Sequence, residues 1–217
     1  MPSSKAKAKE QWINWYLDYL KEDDQAPLWV YQFTDAIGKN DQDFYQQYQD
    51  IDDLEQEIWM GFFKQTEDAL LNDEHYAQFT AREKLLSFYF TFLEVLDRNR
   101  HASILMLDKG LLPAFSGGCL RRFRQSYLNF IEQLVGEAIQ EQSILDRVPF
   151  TEYYKHILWL QCHFVIMYWK RDRSQDNTHT DAAIEKAVNL SFDLLGQNAL
   201  DSLAGMGKFL YQTWWSK

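Results

Sequence analysis

The chain has 217 residues, of which 46% are hydrophobic, 16% are aromatic and 25% are charged, and its formal net charge is −10. This many apolar residues can build a core, which excludes a mainly disordered chain. The acidic excess disfavours a general nucleic-acid-binding protein, because such proteins usually carry a basic surface. The nine glycines and four prolines are few, which favours helices over a β architecture with many turns.

The sequence predicts a soluble cytoplasmic protein. Its two cysteines, Cys119 and Cys162, are too few for a disulfide framework. The polar residues 1–10 lack the apolar run of a secretory signal. The longest apolar stretch, residues 157–169, is shorter than the roughly 20 residues that span a bilayer.

Helical periodicity predicts an all-α fold, and each proline falls between the periodic segments, as helix geometry requires. Residues 80–83 match the Ser/Thr-x-x-Glu capping box at the start of one helix. A loop is predicted over 112–118, and the last helix is expected to start at Thr180 or Asp181 and to run for about 35 residues. The other predicted helices cover residues 5–22, 28–37, 41–48, 80–96, 119–142 and 151–173, together with a longer one that Asp50 or Asp52 caps and that ends near residue 72.

Two short helices separated by Gly38 have the layout of a helix-turn-helix. Helices this short are not stable alone, so we expect them to pack on the first helix and on the longer one after Asp52. The residues predicted to face inward are Val30, Phe33, Ile37, Phe44, Tyr45, Tyr48, Leu54 and Ile58.

This stretch resembles the DNA-binding domain of the TetR/AcrR family of bacterial transcriptional regulators. The resemblance is carried by Gly38 at the turn, by Phe44 and Tyr45 near the end of the recognition helix, by the aromatic Tyr48 and by Leu54. It implies an N-terminal three-helix helix-turn-helix domain, residues 1–72, followed by a C-terminal helical bundle, residues 73–217. In this family the second domain binds a ligand and forms a homodimer.

The same stretch departs from the family pattern. Ile51 stands where the family has a lysine that meets DNA phosphate, and residues 41–48 contain two acids and no base. Residues 1–64 carry six lysines, no arginine and thirteen acids, a net charge of −7. An N-terminal arm with Lys5, Lys7 and Lys9 is the remaining source of basic charge near the helix-turn-helix.

Contact with double-stranded DNA is predicted for one lysine at the turn and for three glutamines, whose amides can read adenine edges. These residues are Lys39, Gln42, Gln46 and Gln47.

A pocket for a small apolar ligand is predicted among the aromatic helices of the second domain, because such sites are mostly hydrophobic with a few polar groups. The alternative is ordinary core packing. The candidate lining residues are Phe88, Phe92, Trp159, His163 and Met167.

No enzyme, cofactor or metal site is predicted. His156 and His163 lie seven residues apart, whereas helical metal ligands favour a spacing of four. A glycine-rich phosphate loop, a Gly-x-Ser-x-Gly motif and a Cys-x-x-Cys motif are all missing from the sequence.

Two basic clusters, residues 121–124 and 170–173, lie in the C-terminal part. The second is expected to be a solvated helix end, where cations favour the dipole. The first is a candidate for contact with an anionic head group or with an acidic partner. The small residues of the last helix resemble the dimer interface of the TetR family, and Trp214 and Trp215 are candidates for packing on the partner or for a membrane surface.

Two hypotheses follow. The first is a dimeric TetR-like DNA-binding transcriptional regulator that a small apolar ligand controls. The alternative is a TetR-fold lipid- or isoprenoid-binding accessory protein that has lost DNA binding.

Overall fold

The computed structural model describes residues 4–23, 25–108 and 118–196, which form nine α-helices and no strand. Short 3-10 turns lie at Tyr76–Gln78, Gly118–Leu120, Phe150–Tyr153 and Gln175–Asn177. The all-α prediction is confirmed. The helices are α1 Ser4–Glu22, α2 Val30–Ala36, α3 Asp41–Tyr45, α4 Ile51–Leu71, α5 Ala81–Asp97, α6 Arg100–Asp108, α7 Arg121–Gln140, α8 Tyr154–Arg171 and α9 Thr178–Leu195.

The chain divides into two compact units. Of the described residues, the first unit contains 4–23, 25–68, 92–108 and 118–126, and the second contains 69–91 and 127–196. Segment 92–126 therefore groups with the N-terminal helices, although the sequence pattern assigns it to the C-terminal bundle. The predicted domain boundary at residue 72 remains a prediction.

Aromatic side chains build the core of the first unit. From α1, the Trp12 ring lies 5.3 Å from the Phe44 ring of α3, and Tyr16 lies 5.1 Å from Phe33 of α2, both edge to face. Edge-to-face pairs add stability beyond the area they bury. Because the inner faces of α2 and α3 carry these large rings, two very short helices are held in place by α1.

The predicted capping box starts α5. The backbone N–H and the hydroxyl of Thr80 donate to the Glu83 carboxylate, each at 2.8 Å, and the Glu83 N–H donates to the Thr80 hydroxyl at 3.3 Å. These hydrogen bonds from Thr80 lower the pKa of Glu83. Reciprocal bonds of this kind satisfy donors that the first helical turn leaves free.

In the second unit, polar contacts join the ends of α8 and α9. The Asp172 carboxylate, which follows α8, accepts from the Ser174 N–H and from the N–H and hydroxyl of Thr180. At the other end of α9, the Arg147 guanidinium donates to the carbonyls of Leu195 and Gly196 at 2.9 and 2.7 Å. The two helices are therefore tied at both ends of α9.

Two predicted elements need correction. Helix α6 was not predicted, because nine residues give too little periodicity to identify a helix. The long last helix is wrong: α9 ends at Leu195, and Gly196 has an extended backbone with φ −76° and ψ −169°. The later small residues of the predicted dimer stripe, and Trp214 and Trp215, lie outside the described residues. None of the described helices is long and apolar enough to cross a bilayer.

Candidate functional site

The turn between α2 and α3 is formed by glycine and asparagine. Gly38 has a backbone φ of +64°, a left-handed conformation that residues other than glycine adopt only with strain. The Lys39 N–H donates to the Thr34 carbonyl at 2.8 Å and closes the end of α2. Asn40 then caps α3, accepting from the Gln42 N–H at 2.8 Å. The sequence thus forms the helix, turn and helix that its pattern predicts.

Three of the predicted DNA-contacting side chains are exposed. Gln42 lies on α3, Gln46 follows it directly, and Lys39 lies at the turn. The Lys39 ammonium sits 4.5 Å from the centre of the Trp15 ring of α1, within cation–π range. Gln47 differs, because it is half-buried and its Oε1 is buried without a hydrogen-bond partner among the described residues.

Acidic side chains surround the same surface. Asp35, Asp43, Asp50 and Asp52 are exposed, and none of them forms an ion pair within the described residues. Between residues 25 and 53 the sequence carries six acids and one base, which is Lys39. The surface around α3 is therefore negatively charged, whereas a DNA-binding protein needs positive charge on the surface that contacts phosphate.

Two other basic side chains of the first unit, Lys9 and Arg122, form ion pairs with acids of α4. Lys9 donates to Glu57 at 3.1 Å and lies over the Tyr48 ring. Arg122, from the first predicted basic cluster, donates to Glu57 at 2.8 Å and also pairs with Asp53. Acids of α4 therefore neutralise Lys9 and Arg122 inside the unit, which leaves less positive charge for an external anion.

At the start of α4 the family's lysine position is part of the core. Ile51 is only 4% exposed. Its side chain lines the same concavity as Trp29 and Tyr45 and has no charge with which to contact phosphate.

Sequence reasoning was wrong about Tyr45 and did not identify two of its exposed neighbours. Tyr45 was expected to face inward, but it is 56% exposed, because a five-residue helix buries only Phe44 against α1. Leu28 and Trp29 are 72% and 62% exposed. Trp29 occupies the N-cap of α2, where small polar residues are usual and an aromatic ring cannot cap, whereas the predicted helix 28–37 places it inside the helix.

The predicted ligand residues fall in both units. In the second unit, Phe88 stacks on Phe130 at 4.9 Å and lies 5.4 Å from the Tyr127 ring. Trp159 lies 5.9 Å from Tyr127. In the first unit, Phe92 stacks on Phe123 at 4.9 Å. Phe88, Phe92 and Trp159 are thus buried in aromatic packing, and their role in ligand binding remains a prediction.

His163 and Met167 are more accessible members of the predicted set. Both are partly exposed on α8, and burial lowers the pKa of His163, whose Nδ1 lacks a partner among the described residues. Met167 borders a concavity of about 430 Å³, whose other lining residues are Phe164, Tyr168, Arg171, Asp172, Arg173 and His179. The lowered pKa of His163 favours the uncharged form of its imidazole.

Two buried tyrosines lie beside this part of α8. Their hydroxyls are 2.7 Å apart, and Tyr127 donates to the Leu158 carbonyl at 3.2 Å. Burial raises the pKa of both Tyr89 and Tyr127, so both remain neutral.

An apolar groove of about 730 Å³ runs along α8 and α9. Large side chains on its wall are exposed, namely Ile157, Leu160, Phe164 and Leu190. Small residues, Ala182, Ala183 and Ala187, lie on the α9 side. At its base, buried Gln161 accepts from the Ser191 hydroxyl at 3.0 Å, and its Nε2 has no partner among the described residues.

Among the residues that the structure describes, no group of three or more histidine, cysteine, aspartate or glutamate side chains is placed to hold a metal ion. His156 is exposed, and Cys119 and Cys162 are buried free thiols.

Comparison with known proteins gives one family match. A family model described as a tetracyclin repressor-like C-terminal domain matches residues 84–210, more than half of the chain. No curated protein matches.

Proposed function

The chain belongs to the TetR family, and we propose that it is a homodimeric ligand-binding protein of that family whose helix-turn-helix has lost the ability to bind duplex DNA. The observation that carries this proposal is the charge around α3. Asp35, Asp43, Asp50 and Asp52 are exposed, whereas Lys39 is the one base between residues 25 and 53.

The size of the electrostatic effect supports this choice. Duplex DNA carries about one negative charge per 1.7 Å of helix axis, and contacts from lysine and arginine to phosphate supply most of the non-specific affinity. Here four exposed carboxylates would approach the same phosphates as one lysine. Lys9, the N-terminal arm's third base, is already paired with Glu57.

The proposed homodimer uses the α8–α9 groove. Four large apolar side chains exposed on one face are unusual for a monomer, and small residues beside them allow close helix approach. A twofold interface needs a patch that complements itself, which an apolar patch does. Leu160 and Phe164 lie four residues apart near the middle of α8 and are its natural centre.

The proposed ligand is apolar, of the lipid or isoprenoid class. Trp159, His163 and Met167 follow at intervals of four along α8, so one face of that helix carries them. The lowered pKa of His163 favours its uncharged imidazole, and Phe164 and Tyr168 supply apolar surface beside Met167.

The test has two measurements on the full-length protein. Fluorescence polarisation with duplex DNA, including the protein's own upstream region, should show no binding at about 50 mM salt, where non-specific contacts are strong. Native mass spectrometry should detect a co-purified apolar molecule, and Met167→Glu should lose it while Met60→Glu, a control on α4, retains it. Salt-sensitive binding of duplex DNA would contradict the proposed loss of DNA binding. A protein that purifies without a bound apolar molecule would contradict the proposed ligand.

A DNA-binding transcriptional regulator is the second candidate. Its specific support is that Gln42 and Gln46 are exposed four residues apart and that Lys39 lies at the same turn. Under this candidate, duplex affinity falls on Gln42→Ala or Gln46→Ala, while Gln65→Ala, an exposed glutamine of α4, leaves it unchanged. Equal affinity for all three variants would remove this candidate.

A further inference from the structure

A concave, apolar patch with acids at its edge lies where the starts of α2 and α4 meet the end of α3. Its volume is about 510 Å³. Leu28, Trp29 and Tyr45 form its apolar wall, and Asp50 and Asp52 stand at its edge; these five residues are called the acid-rimmed patch. All five side chains are exposed.

Burial does not explain the position of these three side chains, since Leu28, Trp29 and Tyr45 are 72%, 62% and 56% exposed; the Tyr45 ring meets only the edge of Phe44 among the described ring contacts. The N–H groups of Leu28 and Trp29 donate to the Gln32 Oε1 at 3.0 and 3.2 Å, so Gln32, rather than the indole, satisfies this end of α2. Single exposed apolar residues are common, but several grouped around one concavity mark an interaction site. Trp and Tyr are also the residues that most often anchor protein interfaces.

Charge indicates what the patch accepts. Asp50 caps α4 by accepting from the Asp53 N–H at 2.8 Å, and neither Asp50 nor Asp52 forms an ion pair with a described residue. An occupant that covers the wall brings its own edge within reach of these two carboxylates, where a cation is attracted and an anion is repelled.

We propose that the acid-rimmed patch docks a basic amphipathic segment of a partner protein. An apolar side chain of the segment inserts between Trp29 and Tyr45, and lysine or arginine side chains beside it face Asp50 and Asp52. This proposal rests on the loss of DNA binding, because it gives the helix-turn-helix surface a different occupant.

Charge disfavours three other occupants. A second copy of this patch would place like charges together, because Asp50 would meet Asp50 or Asp52 across a twofold axis. An anionic bilayer and duplex DNA would each meet the same carboxylates. A basic polypeptide is the partner whose charge and apolar content both fit.

The experiment measures binding of labelled model peptides to the full-length protein by fluorescence anisotropy. The probe is an amphipathic Lys/Leu peptide of about 14 residues, four helical turns. A Glu/Leu peptide removes the basic charge, and a Lys/Ser peptide removes the apolar face. We expect saturable one-to-one binding of the Lys/Leu peptide alone.

Variants then locate the binding. Trp29→Ala, and the pair Asp50→Asn with Asp52→Asn, should each weaken Lys/Leu binding by about tenfold or more, as expected for an interface anchor. Asparagine is as good a helix cap as aspartate, so the pair should preserve α4. Phe150→Ala, an exposed aromatic of the second unit, and Glu67→Gln, an exposed acid of α4, are the matched controls and should bind as the parent does.

A photoreactive Lys/Leu peptide gives an independent readout, with cross-links expected within residues 28–52. Absent binding, equal affinity in all variants, or cross-links elsewhere would overturn the proposal. The proposal is also wrong if the protein binds anionic vesicles but not the Lys/Leu peptide, and if Trp29→Ala abolishes that vesicle binding. Duplex DNA is measured beside the peptides to separate the two proposals. Binding of duplex DNA would contradict the proposed loss of DNA binding. If neither duplex DNA nor the Lys/Leu peptide binds, the docking proposal alone is wrong.

Discussion

The α8–α9 groove and the acid-rimmed patch both expose large apolar side chains, and the two surfaces differ in charge. The groove on α8 and α9, in the second unit, has no aspartate or glutamate among the residues that line it; its titratable residues are Tyr168, His179 and Lys186. The acid-rimmed patch, in the first unit, has Asp50 and Asp52 beside Trp29. A group of exposed apolar side chains indicates a binding surface, and the charge of the neighbouring side chains indicates which class of partner binds there.

A homodimer places one patch against its own copy, so a row of like charges weakens it. No acid lines the α8–α9 groove, so it can meet its copy, whereas the acid-rimmed patch needs a partner of opposite charge. If this difference in charge separates two functions, a substitution in one surface leaves the function of the other unchanged.

The largest effect is expected from charge placed in the α8–α9 groove. Leu160→Glu together with Phe164→Glu buries two carboxylates in the proposed interface, and a buried unpaired charge costs several kcal/mol, roughly 3–5. We expect complete conversion from dimer to monomer in sedimentation equilibrium.

The control carries the same chemistry elsewhere. Phe150→Glu introduces one carboxylate at a residue that is 65% exposed and should stay dimeric. Trp29→Glu, in the acid-rimmed patch, should stay dimeric too. A monomeric Trp29→Glu protein would show that the two surfaces do not have separate functions.

The next effect concerns the aromatic core that holds the acid-rimmed patch. Phe33 is fully buried and its ring meets those of Trp12 and Tyr16. Phe33→Ala should lower the free energy of unfolding by about 3–5 kcal/mol, the usual cost of emptying such a site. Chemical denaturation measures this cost, and exposed Tyr31→Ala on the same helix should change stability by less than about 0.5 kcal/mol.

Reversal of charge should convert the acidic surface into a DNA-binding one. Asp35→Lys, Asp43→Lys and Asp52→Lys together turn three exposed acids into three bases. We expect non-specific duplex binding whose logarithm falls with log salt at a slope of roughly −3, from three phosphate contacts at about −0.9 each. Fluorescence polarisation across a salt series measures the slope.

The matched control has the same change in net charge. Glu67→Lys, Asp68→Lys and Glu74→Lys are all exposed and lie outside the helix-turn-helix. Strong duplex binding by this control would mean that net charge, and not its position around α3, had limited the parent protein.

The sequence was most informative where one residue type has one physical role. Gly38 at a positive φ, the Thr80–Glu83 capping box and the buried stripe of α4 could all be read directly. Leu54, Ile58, Phe62 and Thr66 of that stripe are each buried, as their spacing predicts.

What could not be read was which aromatic side chains of the site face solvent. Tyr45 has the periodicity of a core residue, but a five-residue helix has room for one inward ring, and Phe44 takes it. Likewise Arg122 appeared available to an anion until α4 brought Asp53 and Glu57 beside it. Exposure and pairing depend on contacts far apart in the chain, which local spacing does not encode.

The smallest effect is expected at the joint that presents the α8–α9 groove. The buried Asp172 carboxylate accepts the N–H of Ser174 and both donors of Thr180, and these hydrogen bonds lower its pKa from the ordinary value of 3.8. A lowered folded-state pKa stabilises the fold above the unfolded value, and that stability is lost as the pH falls through the folded value. Asp172→Asn should therefore lower the melting temperature at pH 7, and its difference from the parent should shrink below about pH 4. Exposed Glu185→Gln on α9 is the matched control and should melt as the parent does at each pH. A deficit of Asp172→Asn that persists unchanged to pH 2 would mean that the carboxylate charge does not hold the two helices together.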